Sequence, residues 1–196
     1  PKNSSAYVAP DGSYVNYFHY DVEAAKAKLA ESSYPNGFSF ELLYMEGATF
    51  QAYAELIQNQ LGAIGITVTP VPIASTAFYE LLSAGNYEAE IVNSSNPDPS
   101  IQLKYFDHRV GFADVRGGTG WQGPAELDTL IDQANSVLDT ETRKTIYAQI
   151  SAIINENCPA IPLYSPTKVC LADADISGIR LTEFNDIDLS KAYRVS

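Results

Sequence analysis

The chain has 196 residues, of which 45% are hydrophobic and 18% charged, enough to bury one good-sized core and far from the composition of a disordered segment. A formal net charge of -12, with the 12 cationic residues scattered from Lys2 to Arg194, disfavours nucleic acid and anionic membrane surfaces, both of which need clustered Lys and Arg. No run approaches the roughly 20 apolar residues of a spanning helix. Pro1-Lys2-Asn3-Ser4-Ser5 also lacks the apolar stretch of a signal peptide, so the chain reads as a mature form or as part of something longer.

Ala6 to Tyr20 is aromatic-rich and loop-like, with a turn at Pro10-Asp11-Gly12. Asp21 is placed to cap a first helix, on which Val22, Ala25 and Leu29 share a face. Ser32 to Gly37 ends that helix, and Phe38 to Leu42 alternates as a strand does. Thr49 is expected to cap a second helix carrying Phe50, Ala54, Ile57 and Leu61, after which Gly65 precedes the β-branched strand Ile66 to Thr69. Ser75 is expected to cap a third helix through Phe78, Leu81 and Leu82 that stops at Gly85. Tyr87, Ala89 and Ile91 then alternate with Glu88 and Glu90 as a third strand up to Val92.

This αβαβαβ order predicts an α/β domain: a mixed, largely parallel sheet flanked by helices on both sides. Ile101, Leu103 and Phe106 suggest a short helix, and Asp107 to Gly123 is Gly-rich and loop-like. Two further helices follow, one striped by Leu127, Leu130, Ile131, Ala134 and Leu138. The other is striped by Ile146, Ile150, Ile153 and Ile154 and capped by Asp139 or Thr140. Pro159 to Tyr164 and Lys168 to Leu171 read as two extended segments about a turn at Ser165-Pro166. Phe50, Ile57, Leu61, Leu130, Ile131 and Ile150 are the expected core, and residues 1–196 read as a single domain.

In an open α/β sheet, ligands sit beyond the carboxyl ends of the strands. Asn93, Ser94, Ser95 and Asn96 follow such an end and are candidate ligand contacts, although the same groups can serve as helix caps. Trp121, the only tryptophan, is either a stacking platform for a ligand or a plug that packs its Gly-rich loop onto the body. Asp107, His108 and Asp114 form at best a sparse metal set, and His19 stands apart. Cys158 and Cys170 fall out of register for a bridge across the expected hairpin, so no disulfide is expected. Neither a nucleophile elbow nor a phosphate-binding loop is present in the sequence.

The order of elements and several phrases together resemble the C-terminal portion of the family 5 solute-binding proteins of ABC importers, the dipeptide-, oligopeptide- and nickel-binding group. The phrases are Tyr20-Asp21 through Ala24, Lys26 and Leu29, then Tyr34-Pro35-Asn36-Gly37-Phe38, then Ile57-Gln58 through Leu61, Ile64-Gly65-Ile66 and Val68. Further along come Asp98-Pro99, Leu127-Asp128 with Leu130-Ile131, Asp139 with Arg143 and Tyr147, and Pro159 with Ile161-Pro162-Leu163-Tyr164. They extend over about residues 17–180. The resemblance implies one lobe of a two-lobed, type II periplasmic-binding-protein fold, with residues 1–20 and 175–196 near the hinge or the other lobe.

It further implies an extracytoplasmic location, in the periplasm or at the cell surface as a lipoprotein, and a peptide-like or other small solute as ligand. The implied partners are the N-terminal lobe, a membrane permease and an ATPase; no cofactor and no catalysis are expected. In the peptide-binding members an Asp three residues before Asp-Pro pairs with the peptide's amino group, and the same loop starts near a Trp. Those positions here are Ser95 and Val92. The competing readings are a small hydrolase or lyase using His108 with Asp107 or Asp98, and a stand-alone protein-interaction module.

Overall fold

The computed structural model describes residues 20–93, 103, 105–107, 109, 121, 123–163, 169–182 and 186–195. Helix α1 spans Val22–Ala30, and the Asp21 side chain accepts a hydrogen bond from the Ala24 amide at 2.9 Å, as its capping position predicts. Strands β1 (Ser39–Met45), β2 (Thr67–Ile73) and β3 (Ala89–Ile91) alternate with α2 (Ala48–Gly62) and α3 (Ser75–Ser83). They form a three-stranded sheet in the order β2-β1-β3, parallel at both pairings. The mixed character expected of the sheet does not extend to these strands: the antiparallel pairs among the described residues are separate short ladders.

The central strand β1 is covered on both faces, as a parallel strand between helices must be. Leu42 and Tyr44 point to one side, where Ala54, Phe50, Tyr53, Ile57 and Leu61 of α2 pack with Ile66, Val68 and Ile91. Leu43 and Met45 point to the other, against Phe78, Leu81 and Leu82 of α3. Each fully buried aliphatic or aromatic side chain here contributes about 1.5–3 kcal/mol. Phe50, Ile57 and Leu61 are half-buried rather than buried, because α2 lies at the rim of its cluster and only Ala54 is fully enclosed.

Two helix starts differ from expectation. α2 begins at Ala48, with Gly47 rather than Thr49 as its cap residue, and α3 begins at Ser75 itself, with Ala74 before it. Strand β2 also runs past Thr69 to Ile73, through Pro70 and Pro72. Among the described residues β2 is an edge strand with β1 as its neighbour. The Thr67 amide donates to the Phe38 carbonyl and the Ile73 carbonyl accepts from the Glu46 amide, so odd-numbered residues face β1 and both prolines face outward. There a missing N–H removes no ladder bond. The outward carbonyl of Val68 accepts from Gln58 Nε2 of α2 at 2.7 Å.

The expected helix pair is present as α4 (Ala125–Ser136) and α5 (Thr140–Asn157). Leu127, Leu130, Ile131 and Ala134 of α4 interlock with Ile146, Tyr147 and Ile150 of α5, and Leu103 joins the same cluster. Asp139 caps α5 through the Thr142 amide at 2.8 Å. Leu138, expected on the α4 stripe, is 95% exposed; the backbone turns extended at Val137, so Leu138 lies in the connection. At the far end of α5, Cys158 adopts the left-handed conformation (φ 49°) and its amide donates to the Ile154 carbonyl.

Residues 161–163 and 169–171 form no strand, so the described parts of the expected hairpin are not paired. Ile161, Leu163, Val169 and Leu171 are exposed instead. Of the expected irregular segments, 1–19 lies outside the described residues. The other carries β4 (Ile176–Ser177), β5 (Arg180–Leu181), β6 (Ile187–Asp188) and β7 (Tyr193–Arg194). β4 pairs with β7 and β5 with β6, both antiparallel.

Candidate functional site

All three strands of the main sheet run the same way, so their carboxyl ends share one edge. The register sets Met45 opposite Ile73 and Tyr44 opposite Ile91. Beyond those ends the chain places Glu46 and Gly47 before α2, Ala74 before α3, and Val92 and Asn93 after β3. Glu46, Gly47 and Asn93 are exposed. Both helix N-termini meet this edge without a side-chain cap and without an acid in the first turn. Their first amides, which have no partner inside the helix, are thus presented at the same edge of the sheet as Asn93.

Asn93 therefore lies where the strand-end argument placed it. Ser94, Ser95 and Asn96, together with Asp98, lie outside the described residues. Trp121 is half-buried and packs against the α4–α5 core. A Cβ added at Gly123, whose φ is +63°, would come 3.0 Å from Trp121 Cη2, so the indole closely covers the Gly123 backbone at the start of α4.

Asp107, a candidate acid, base or metal ligand beside His108, is engaged by an arginine. It is buried, and its carboxylate is bound by the side chain of Arg109, Nε to Oδ1 at 2.8 Å and Nη2 to Oδ2 at 2.9 Å. The same guanidinium grips Asp132 of α4, Nη1 to Oδ2 at 2.9 Å and Nη2 to Oδ1 at 2.8 Å. This doubly bidentate arrangement uses the planar fork that only arginine offers. The hydrogen bonds to Asp107 and Asp132 hold the Arg109 charge in place, and Arg109 in turn holds the Asp132 carboxyl below its usual range. The network fastens the 107–109 turn to α4. No sequence spacing announces it, because Arg109 and Asp132 are far apart in the chain.

His19, His108 and Asp114 lie outside the described residues. Among the described residues no group of His, Cys, Asp and Glu is arranged to hold a metal ion, and no helix is long and apolar enough to cross a membrane. Cys158 and Cys170 are both free thiols. Sequence reasoning did not single out Glu46 or the two uncapped helix starts at the sheet edge. The signal was the shortness of the strand-to-helix joints, which leaves room for little besides the cap residue.

Comparison with known proteins supplies the family. The family model described as "Bacterial extracellular solute-binding proteins, family 5 Middle" matches residues 1–114, more than half of the chain. Heme-binding protein A of Haemophilus influenzae is 27% identical over 155 residues, covering 74% of this chain and 28% of that protein. Di/tripeptide-binding protein 2 of Pseudomonas aeruginosa is 26% identical over 181 residues, covering 88% and 33% respectively. The chain thus spans about a third of the length of these relatives. Among solved structures, NikA from Brucella suis in complex with Fe(III)-EDTA superposes with a TM-score of 0.78 at 19% identity, over 95% of this chain and 41% of that one. The architecture is that of a lobe of the type II periplasmic binding proteins, and the family is extracytoplasmic by its description. With its first 114 residues matched and its parallel sheet flanked by helices, the chain belongs to the bacterial extracellular solute-binding proteins of family 5.

Proposed function

We propose that this chain is one lobe of a two-lobed solute-binding protein. The complete protein captures a peptide-like or other small solute outside the cytoplasm and delivers it to the permease and ATPase of an ABC importer, without chemical turnover. The observation that carries this reading is the sheet edge, where strands end in register beside two uncapped helix N-termini and the exposed Asn93. Asn93, Ser94, Ser95, Asn96 and Trp121 are the residues assigned to the ligand face. No cofactor is assigned.

Two observations support a shared cleft. The chain spans about a third of its relatives' length. Its C-terminal part also leaves Leu171 91%, Leu189 59% and Tyr193 61% exposed, apolar surface suited to contact with further protein. Residues 1–20 and 175–196 are accordingly assigned to the hinge or the other lobe. The ligands for which the relatives and the superposed structure are named are chemically unlike one another: heme, small peptides and a metal chelate. The edge geometry is common ground for binding, while the solute is chosen by the side chains placed on it.

Calorimetry tests the reading. A closing protein encloses its ligand between lobes, and one lobe alone supplies part of the contacts and no enclosure. The 196-residue chain, titrated with peptides, sugars and divalent metals, is expected to bind nothing tighter than about millimolar, or about 4 kcal/mol. Sub-micromolar binding by this chain alone would overturn the shared-cleft assignment.

A further inference from the structure

Strand β3 is held by β1 alone among the described residues, and it is three residues long. Ala89 and Ile91 face the α2 side of the sheet. Glu90 alternates to the other side, in register with Leu43, which packs on Phe78 and Leu82. Its Oε2 is buried and has no hydrogen-bond partner among the described residues. At that oxygen a carboxylate's charge would meet neither water nor a donor among the described residues.

Among the described residues nothing nearby neutralises it. No Lys, Arg or His occurs between Lys28 and Lys104. On β1 the ionisable side chains are Glu41, exposed at the strand's start, and Tyr44, which turns to the α2 side. α3 brings Tyr79 and Glu80, both exposed. Tyr87 packs in the α3-side cluster, and Glu88 directs its Oε2 to the Glu41 amide at 2.7 Å. The acids are of the wrong sign, and the tyrosines carry no positive charge.

We propose that Glu90 is a proton-operated latch. As the neutral acid it lets β3 stay seated on β1, and on losing its proton it loosens the strand end that presents Asn93. Burial, with no other cause, pushes its carboxyl up to about 7, so the latch works near neutral pH. The sign follows from linkage. The folded chain holds this proton more tightly than the unfolded chain does, so the stability of β3 is greatest at low pH. It declines as pH rises from the ordinary glutamate range through about 7. Only the consequence for Asn93 rests on the ligand-facing reading of the edge; the latch itself does not.

The experiment therefore needs no ligand. Carboxyl-detected NMR titrates Glu90 in the 196-residue chain, while amide hydrogen exchange measures protection factors at Ile91, Val92 and Asn93. Linkage between a folded value of about 7 and an ordinary glutamate predicts that protection falls about tenfold from pH 6 to pH 8. Glu90→Gln, which copies the neutral acid, is expected to give a flat profile, and Glu90→Met gives a second flat profile from an apolar side chain. Titration of Glu90 below pH 5, or the same tenfold fall persisting in both variants, overturns the proposal. With protection behaving as expected, a complete two-lobed protein whose solute affinity does not follow pH over the same range would instead count against the assignment of Asn93.

Discussion

Gly37 and Gly65 meet backbone to backbone at the starts of β1 and β2. Gly37 has φ +91°, its amide donates to the Tyr34 carbonyl at 2.9 Å, and a Cβ placed on it would overlap the Gly65 carbonyl oxygen. The contact sets how closely the two parallel strands begin, at the edge opposite the proposed ligand face. Gly37→Ala meets two penalties, a left-handed backbone and a backbone clash that no side-chain rotation relieves. The expected loss is about 2–4 kcal/mol, read from the urea midpoint of the chain. Gly65→Ala has open space around its Cβ and meets only the conformational penalty of φ +92°; it is expected to lose about 1 kcal/mol.

Cys158 offers the reverse case. It holds the left-handed position that ends α5 without being glycine. Cys158→Gly is expected to raise stability by about 0.5–1 kcal/mol. Thermal unfolding under reducing conditions checks this, and a fall in midpoint would show that the thiol packs better than its exposure implies.

Arg109→Met removes the guanidinium from the buried carboxylate of Asp107. Desolvation of that carboxylate without its fork is expected to cost about 1–3 kcal/mol, discounted toward the lower figure because Arg109 is 39% exposed. Arg109→Lys restores a charge but no fork and is expected to recover part of the loss. Asp132→Asn has the smaller effect, since its carboxylate is 65% exposed. Guanidinium denaturation of the series orders the three.

The elements were legible where one interaction decides them. The stripe Leu127, Leu130, Ile131 and Ala134 reads as a buried helix face and is one, and Asp21 and Asp139 cap the helices they precede. The reading erred where partners distant in sequence decide. Pro70 and Pro72 sit inside β2 because the strand lies at the sheet's edge, a fact of topology that the local sequence does not carry. Thr49 looked like the better cap, yet Gly47, with φ +151°, turns the chain from β1 into α2 two residues earlier. At the proposed site the strand-end position of Asn93 was readable from the alternation of Tyr87, Ala89 and Ile91. The fastening of Arg109 to α4 was not, since it depends on Asp132, 23 residues further on.

The proposed binding edge makes a prediction about solute charge. The resemblance to peptide-binding proteins implies an aspartate that meets the free amino group, and it sets Ser95 at that position. A hydroxyl accepts one hydrogen bond from an ammonium but does not neutralise it, a difference of about 1.5–3 kcal/mol. The full-length protein is therefore expected to bind a peptide and its N-acetylated form within about tenfold of each other. If acetylation abolishes tight binding while Ser95→Ala weakens it, the amine is read at this loop and the expectation fails.

The outer side of β2 has a consequence for how this sheet can be completed. Pro70 and Pro72 turn no donor outward, and the Val68 carbonyl is already taken by Gln58. A strand arriving there would meet prolyl carbonyls but no donor at either proline, so that flank is a poor template for a second copy or a further segment of a longer chain. The opposite flank is the better one. A strand added beyond β3, which among the described residues pairs with β1 alone, would bring its backbone alongside Glu90 and give the shortest strand of the sheet a second neighbour.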